Sequence, residues 1–207
     1  ILTVGWLAGI SNAVNFIDGV DGLAGSVISI SSVTIGLISL TLVPSDIVIS
    51  LIAFILAGSM LGFLTYNFHP AKIFMGDSGA LFAGFLLAAL SIMYSMKTAD
   101  CKMYVPLLIL AVPLLDITFS STRRILKGTS PFVADAEHIH HKLLKLGLSQ
   151  NKAVLVVVAF STLMGWLATY IVSSDTTKYF IYAVVLSVIM IILNRHAKFG
   201  ESNEKEE

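Results

Sequence analysis

The sequence predicts an all-α fold, a polytopic transmembrane helix bundle with about six full spans, a partial first span and an amphipathic cytoplasmic helix. Two observations lead to this prediction. Of the 207 residues, 56% are hydrophobic and only 13% are Asp, Glu, Lys or Arg, whereas a typical soluble domain has about 25% charged residues. The apolar residues also form runs of about 20, the length that an α-helix needs to cross a bilayer.

Composition and charge exclude several classes of protein. Thirteen basic and thirteen acidic residues give a formal net charge of zero, and without a basic face the chain is not expected to bind nucleic acid. A mean hydropathy of +0.87 excludes a disordered chain, which requires low hydrophobicity. The single cysteine, Cys101, excludes an internal disulfide framework and a CxxC metal site. The remaining class is a membrane protein, so the lipid bilayer is a predicted partner of the chain.

Six apolar runs are long enough to span a membrane, and residues 1–11 resemble the second half of a further span. Because backbone groups in lipid must bond internally, these runs are predicted to be helices. We expect one transmembrane domain over residues 1–194 and a charged cytoplasmic tail over residues 195–207. The six runs are 23–42, 47–66, 80–96, 104–122, 153–172 and 179–193.

Basic residues are distributed unequally between the two sides of the predicted membrane. Ten of the 13 Lys and Arg residues fall in loops on the side of Asp18, and three fall on the other side. Because cytoplasmic loops are enriched in Lys and Arg, the side of Asp18 is predicted to be cytoplasmic. Cys101 is then predicted to lie in a short loop outside the cytoplasm.

The first polar cluster follows the opening apolar stretch. Asn12, Asn15, Asp18 and Asp21 recur at three-residue intervals, and side chains three residues apart share one face of a helix. We therefore predict a polar ridge that leads out of an apolar helix. The Asp-Gly pairs are also typical of an ordinary turn, but two amides followed by two carboxylates exceed what a turn requires and favour a functional site.

The second polar cluster precedes the predicted span 80–96. Asp77 has Gly76 before it and Gly79 shortly after it, and such small residues leave room for a phosphate or a metal ion. The alternative is that Asp77 only caps the following helix. His69, which precedes a proline, is equally consistent with an interfacial residue that has no chemical role.

The third polar cluster lies in the longest predicted cytoplasmic loop. His138, His140 and His141 fall within four residues, on a predicted amphipathic helix with Asp135 as N-cap and Gly147 as stop. Zinc is one interpretation; however, His140 and His141 are expected to point about 100° apart on a helix, which favours donors to an anionic ligand. The predicted apolar stripe is Ile139, Leu143 and Leu146, and the predicted polar face is His138, His141, Lys142 and Lys145.

Three other charged residues each have two interpretations. Arg123 and Arg124 either bind phosphate or only enforce the topology. Asp116, near the cytoplasmic end of the predicted span 104–122, either supports the site or satisfies a backbone kinked by prolines.

Two pairs of glycines have the small-xxx-small spacing that is typical of packed membrane helices. They are Gly5 with Gly9 and Gly58 with Gly62. We expect these four residues to mark close helix–helix contacts.

Three segments together resemble the polyprenyl-phosphate N-acetylhexosamine-1-phosphate transferase superfamily, glycosyl transferase family 4. They are NAVNFIDGVDGLAGS at 12–26, FMGDSGALFAG at 74–84 and HIHH at 138–141, in the order of the family. HIHH with the preceding RRILKGTSPF resembles the branch that uses UDP-N-acetylglucosamine and initiates teichoic acid, enterobacterial common antigen or O-antigen lipopolysaccharide. The resemblance implies a multi-pass enzyme of the bacterial plasma membrane with a cytoplasmic active site.

The resemblance also implies roles for individual residues. Asp77 takes the position of the metal-binding aspartate, and Asp18 and Asp21 take those of catalytic aspartates. The implied cofactor is Mg²⁺, with Mn²⁺ as an alternative. A further adjacent aspartate pair of the family is absent here, so the chain is expected to be the C-terminal part of a longer enzyme and inactive alone. The predicted substrate-binding residues are Asn12, Asn15, Arg123, Arg124, His138, His140 and His141.

The implied reaction transfers N-acetylglucosamine-1-phosphate from UDP-N-acetylglucosamine to undecaprenyl phosphate and releases UMP, as the first membrane step of cell-envelope glycopolymer synthesis. The implied partners are a UDP-sugar, a polyprenyl phosphate and the bilayer, with a homodimer left open. One alternative is the sister branch, phospho-N-acetylmuramoyl-pentapeptide transferase, which typically has three consecutive histidines. The others are a cation-coupled transporter, whose carboxylates should lie near the bilayer midplane, and a non-catalytic membrane scaffold.

Overall fold

The computed structural model describes residues 1–42, 45–98, 103–128 and 138–172, and these residues are helical with no strand among them. The predicted all-α class is confirmed. The predicted run 179–193 and the tail lie outside the described residues. The helices are α1 (Leu2–Ile17), α2 (Leu23–Ser39), α3 (Ile47–Asn67), α4 (Gly76–Lys97), α5 (Tyr104–Ile109), α6 (Ala111–Leu126), α7 (Ile139–Lys145) and α8 (Gln150–Val172).

Three of these helices, α3, α4 and α8, are long and apolar enough to cross a membrane, while α1 and α2 are apolar but shorter. Large apolar side chains such as Leu51, Phe82 and Leu163 are exposed on the three long helices. A bilayer would cover these side chains, as expected of a membrane bundle. The number of spans stays a prediction.

Helix α2 forms the centre of the bundle. Every residue of α2 except Leu37 is buried, and α2 packs against α3, α4 and α8. Its hydroxyl groups tolerate burial because several bond to the carbonyl four residues earlier, as Ser29 Oγ does to Gly25 O (2.7 Å) and Thr34 Oγ1 to Ile30 O (2.8 Å). A serine-rich helix is therefore enclosed by the others.

The glycines that allow close packing are not those that the spacing predicts. A Cβ at Gly84 on α4 would lie 2.9 Å from Ser11 Cα on α1, and one at Gly36 on α2 would lie 2.7 Å from the Phe54 ring on α3. By contrast, a Cβ on any predicted packing glycine would have no neighbour within 4 Å; these are Gly5, Gly9, Gly58 and Gly62. That prediction is wrong for the part of the chain that the structure describes, because the four glycines face outward.

The predicted span 104–122 is not one helix but two, α5 and α6, separated at Leu110. Pro113 has no N–H with which to bond the carbonyl of Ile109 four residues earlier. That carbonyl instead accepts a hydrogen bond from Ser31 Oγ on α2 (3.0 Å). The break is thus stabilised by a hydroxyl of the central helix, and Asp116 has no part in it.

An ion pair at one end of the bundle joins the start of α3 to the end of α4. Asp46 is buried and caps α3, since its Oδ1 accepts from Ile49 N (2.9 Å). Its Oδ2 accepts from Lys97 Nζ in the last turn of α4. These contacts lower the pKa of Asp46, chiefly through the hydrogen bond from Lys97.

Candidate active site

A cavity of about 230 Å³ lies at the opposite end, where α1 and α3 end and α2 and α4 begin. It brings together the first two polar clusters of the sequence, which are more than 50 residues apart. Three carboxylates, Asp18, Asp21 and Asp77, belong to its wall. The remaining lining residues are Asn15, Gly19, Val20, Asn67, Phe74, Met75 and Gly76.

The turn from α1 to α2 supplies two of these carboxylates. Helix α1 ends at Ile17, so the predicted helical ridge does not extend to Asp21, and that part of the prediction is wrong. Gly22 is the N-cap residue of α2 and has a φ of +77°, and a Cβ there would lie 3.2 Å from the Phe68 ring. Only glycine readily satisfies both constraints. Of the two predicted amides, Asn15 lines the cavity, whereas Asn12 is exposed outside it and donates to Ala8 O (2.8 Å).

Hydrogen bonds hold the loop between α3 and α4 against this turn. Asp21 Oδ2 lies 2.8 Å from His69 Nδ1 and accepts from Ala71 N (3.2 Å). Asn67 Oδ1 accepts from Gly22 N (3.0 Å), and its Nδ2 donates to Ile73 O (2.8 Å). Asp21 and Asn67 therefore join the segment that carries Asp77 to the segment that carries Asp18.

His69 and Asn67 are site residues that the sequence analysis did not single out. The sequence is consistent with either a chemical or a purely interfacial role for His69. The structure places its ring beside the Asp21 carboxylate. Asn67 sits at the end of an apolar helix, where an amide is costly unless bonded. An amide at the end of an apolar run, followed within three residues by a histidine and a proline, is a sequence signal that could have indicated a structured loop.

Asp77 is not a helix cap. It lies in the first turn of α4, whose N-cap position is Met75, and no side chain of the described residues caps the start of this helix. The capping alternative is therefore wrong, and the Asp77 carboxylate is exposed toward the cavity. Its position in the first turn is favourable because the partial positive charge of a helix N-terminus stabilises a carboxylate.

The cavity brings the negative charges of three aspartates close together, and this changes the pKa of one of them. The pKa of Asp18 is raised from 3.8 to about 6, first by burial and then by the negative charges of Asp77 and Asp21. Both causes favour the protonated carboxyl group. A cation bound between Asp18 and Asp77 would reverse this effect.

The donor set fits a hard cation that shares its coordination with a substrate. Among the residues that the structure describes, no group of three or more His, Cys, Asp or Glu side chains could hold a metal ion. A closed protein cage, such as structural zinc requires, is thus not supported there. Mg²⁺ is ordinarily held by one or two carboxylates together with water and substrate phosphates, and Asp18 and Asp77 supply such carboxylates.

The third cluster reaches this end of the bundle through α7. His138 precedes α7 in the N-cap position, and its Nδ1 lies 2.6 Å from Asp116 Oδ2. Asp116 Oδ1 accepts from Ile139 N (2.7 Å). The helix therefore begins later than the predicted N-cap Asp135, which lies outside the described residues. Gly147, with a φ of +85°, follows the end of α7 as predicted.

The faces of α7 differ from the amphipathic prediction. His138 is 9% exposed and His140 is 2% exposed, whereas Leu146 is 79% exposed. The predicted polar position of His138 is therefore wrong, whereas the exposure of Leu146 is compatible with the predicted apolar stripe at a membrane surface. The rings of His140 and His141, predicted to point apart, have centroids only 4.4 Å from each other. Seven residues are too few for an independent helix, so tertiary contacts decide which side is buried.

His140 is a buried neutral imidazole directly behind the cavity wall. Neither ring nitrogen has a hydrogen-bond partner among the residues that the structure describes, and a Cβ at Gly19 would lie 3.2 Å from His140 Nε2. Burial, and secondarily His141, lowers the pKa of His140 to about 4. His140 is therefore uncharged near neutral pH, unlike the cationic donor that the sequence suggests. Arg123 and Arg124 are half-buried in the last turn of α6 and do not line the cavity.

Together, the helical bundle and its carboxylate-lined cavity define a membrane protein with an acidic site at one end. Residues 1–95, which contain all three cavity carboxylates, match glycosyl transferase family 4. The family predicted from the sequence motifs is thus confirmed.

Curated relatives agree with this assignment. The chain is 38% identical over 191 residues to a probable undecaprenyl-phosphate N-acetylglucosaminyl 1-phosphate transferase of Bacillus subtilis, covering 92% of this chain and 52% of the relative. It is 39% identical over 175 residues to a decaprenyl-phosphate N-acetylglucosaminephosphotransferase of Mycobacterium leprae, covering 76% and 44%. A phospho-N-acetylmuramoyl-pentapeptide-transferase of Streptococcus agalactiae is 49% identical over 87 residues, covering 42% and 25%. The chain spans about half the length of the first two relatives.

Proposed function

We propose that this protein transfers N-acetylglucosamine-1-phosphate from UDP-N-acetylglucosamine to a polyprenyl phosphate such as undecaprenyl phosphate, with release of UMP. The observation that supports this most is the convergence of Asp18, Asp21 and Asp77 on one cavity within the family-matching residues. The relatives named for N-acetylglucosamine-1-phosphate transfer to undecaprenyl and decaprenyl phosphate support the same reaction.

The reaction brings two anions together. An oxygen of the lipid phosphate attacks the β-phosphorus of the UDP-sugar, a new P–O bond forms, and the bond from that phosphorus to the oxygen of UMP breaks. We assign Asp18 and Asp77 to hold Mg²⁺, which would screen the charges of the two phosphates and stabilise the leaving UMP. Asp21 holds the loop that carries Asp77. Mn²⁺ would suit the same oxygen donors.

Polar groups around the carboxylates are suited to bind the nucleotide sugar. Asn15 offers an amide to the cavity. His140 offers a neutral ring N–H behind Gly19, and His138 and His141 lie beside it in contact with its ring. Arg123 and Arg124 would act at a greater distance on the approaching phosphates. Asn12 has the weakest support because it lies outside the cavity.

The position of the carboxylates disfavours a cation-coupled transporter. Asp18, Asp21 and Asp77 lie at the ends of α1, α2 and α4, whereas coupling carboxylates of transporters lie near the bilayer midplane. A site at the membrane edge suits one lipid substrate and one water-soluble substrate. This geometry favours an enzyme at the interface.

The choice of donor sugar is tested directly. Membranes that contain the complete enzyme, in which this chain is joined to the N-terminal part that it is expected to require, are incubated with a polyprenyl phosphate and either UDP-N-acetylglucosamine or UDP-N-acetylmuramoyl-pentapeptide, and UMP release is measured with and without EDTA. We expect EDTA-sensitive UMP release with UDP-N-acetylglucosamine. Preference for the muramoyl donor, the reaction named for the Streptococcus agalactiae relative, would assign the protein to the sister branch. UMP release that persists in EDTA would contradict the metal assignment.

We also propose that the cavity faces the cytoplasm, as the distribution of Lys and Arg predicts. Cys101, which lies outside the described residues, should then face away from the cytoplasm. A membrane-impermeant maleimide is expected to label Cys101 on intact cells. Labelling that requires permeabilisation would place the cavity on the wrong side for cytoplasmic UDP-sugars. Cys101→Ser is the control for non-specific labelling, since Cys101 is the only cysteine of the chain.

A further inference from the structure

A buried carboxylate outside the cavity has no role in the reaction as described so far. Asp116 is 2% exposed on α6, in a chain where a charged side chain inside the bilayer is costly. Both of its oxygens are used, Oδ2 at 2.6 Å from His138 Nδ1 and Oδ1 at 2.7 Å from Ile139 N. Both partners belong to the start of α7. Asp116 therefore attaches the histidine segment to α6.

Ring contacts continue from His138 to the cavity wall. The His138 ring stacks with Phe16 (centroids 5.7 Å apart) and also with His140 (5.7 Å). The His140 ring in turn packs against Gly19, which lines the cavity. Phe16 and Gly19 flank Asp18 in the chain, two residues before it and one residue after it. The ring stack thus contacts the turn on both sides of Asp18.

We propose that Asp116 is a positioning residue for the transfer reaction, acting through His138. By accepting a hydrogen bond from Nδ1–H, the carboxylate selects one tautomer of His138 and leaves its Nε2 as an acceptor. It also holds the Phe16–His138–His140 stack against residues 16–19, and so fixes where Asp18 stands in the cavity. The opposing interpretation is that Asp116 only caps α7. The activity readouts of this inference rest on the proposed function, but its tautomer readout does not.

Asp116→Asn separates the two interpretations because it is nearly isosteric. The Asn Oδ1 can still accept from Ile139 N, so the cap is retained. Its Nδ2 can only donate, so the His138 ring would have to offer Nδ1 as an acceptor and carry its proton on Nε2. We expect kcat to fall about 10- to 100-fold, the usual range for a residue that orients another functional side chain, with KM for UDP-N-acetylglucosamine changed less than about twofold.

The tautomer is observed by solid-state NMR of the chain in bilayers with ¹⁵N-labelled histidine. The chain has five histidines, and His138→Gln identifies the His138 resonances by their loss. We expect Nδ1–H in the wild type and Nε2–H in Asp116→Asn. A wild-type His138 with its proton on Nε2 overturns the proposal, even if Asp116→Asn fails to fold.

Two further variants make the result specific. Asp46→Asn is the matched control, because Asp46 is also a buried helix-capping carboxylate with a side-chain partner, at the opposite end of the bundle. It should leave kcat within about twofold, since it is remote from the cavity. In a His138→Gln background, Asp116→Asn should cost no further activity, because residues that act as a unit are not additive.

The possible failures are distinguishable. If the wild type shows no transfer with either donor, the proposed function fails, while the NMR result still decides whether Asp116 selects the His138 tautomer. If the wild type is active and Asp116→Asn has the same kcat, the positioning role is overturned. Equal losses in Asp116→Asn and Asp46→Asn would also overturn it, because the effect would then reflect the loss of any buried carboxylate.

Discussion

The two ends of the helix bundle shift the pKa of an aspartate in opposite directions. At one end, Asp46 caps α3 and pairs with Lys97, and its pKa is lowered, chiefly by the hydrogen bond from that lysine. At the other end, burial and the neighbouring carboxylates Asp77 and Asp21 raise the pKa of Asp18 to about 6. The same residue type is thus stabilised as an anion at one end and destabilised at the other. Uncompensated charge of this kind is typical of functional sites.

The contrast extends to the groups around the aspartates. Both carboxylate oxygens of Asp46 accept hydrogen bonds, one from Ile49 N and the other from Lys97 Nζ. At the cavity end, Asp21 is similarly satisfied by His69 and Ala71, but the buried ring nitrogens of His140 have no hydrogen-bond partner in the described part of the chain. The cavity end therefore combines the hydrogen-bonded carboxylate of Asp21 with the exposed carboxylate of Asp77. At the Asp46 end, both carboxylate oxygens are used in contacts that join α3 to α4.

The largest expected effect comes from removing charge at the cavity. Asp77→Asn should lower UMP release at least about 100-fold, as loss of a preorganised electrostatic group at a reacting centre does. Folding should be retained because the Asp77 side chain caps no helix. Loss of the Asp77 charge should also bring the pKa of Asp18 closer to its usual value. Transfer assays and thermal unfolding in detergent measure the two outcomes.

Asp46→Asn is the control for this variant, since it removes one negative charge from the other end of the bundle. It should retain transfer. If Asp77→Asn kept near-normal Mg²⁺-dependent turnover, Asp77 would have no role in holding the cation. The two ends would then differ in pKa but not in function.

An intermediate effect is expected at the Lys97 end. Asp46→Ala removes both the cap of α3 and the partner of Lys97, and loss of a cap costs about 0.5–2 kcal/mol. The free energy of unfolding should fall by about this amount, with little further loss from the pair because Lys97 is half exposed. Transfer at a permissive temperature should be unchanged. A selective loss of activity without a loss of stability would contradict the division between the two ends.

The smallest expected effect is a pH dependence of cation binding. Because the pKa of Asp18 is about 6, a cation at pH 5 must displace a proton that is mostly absent at pH 7. The apparent Mg²⁺ affinity should therefore fall up to about tenfold between pH 7 and pH 5. Isothermal titration calorimetry in two buffers of different ionisation enthalpy measures the proton release. Asp18→Asn should remove the release, and an unchanged release in that variant would assign the proton to another group.

The same shift has a defined consequence for stability. Since the folded pKa of Asp18 lies above its unfolded value of 3.8, the folded state binds more protons than the unfolded state between about pH 4 and pH 6. The contribution of Asp18 to stability is therefore lost as the pH rises through this window. Asp46 has the opposite sign, because its folded pKa is lowered, so its contribution is lost as the pH falls.

Helix positions and the identity of the acidic residues were accessible from local sequence. The predicted runs 47–66 and 153–172 correspond to α3 (Ile47–Asn67) and α8 (Gln150–Val172) within a few residues, because length and hydrophobicity determine a membrane helix. The motif spacing also indicated Asp18, Asp21 and Asp77, all of which line the cavity. Their roles in metal binding and catalysis stay predictions.

Contacts between distant segments were not accessible in this way. Whether Gly84 or Gly58 packs closely depends on which face of α4 or α3 meets another helix, and helix periodicity does not specify that face in an apolar span. The broken span 104–122 likewise required knowing that Ser31 would satisfy Ile109 O. A proline alone leaves kinked and uninterrupted helices both possible.

What the sequence by itself determined is therefore the class of the protein, its helices and the short motifs that carry its acidic residues, since these depend on neighbours in the chain. Only the tertiary structure decided which polar groups meet. It brought the Asp116 carboxylate within hydrogen-bond distance of His138 Nδ1, buried His140 behind Gly19 and left Asn12 outside the cavity. The physical reason is that burial, pairing and pKa depend on groups brought together across many residues, whose distances no local pattern encodes.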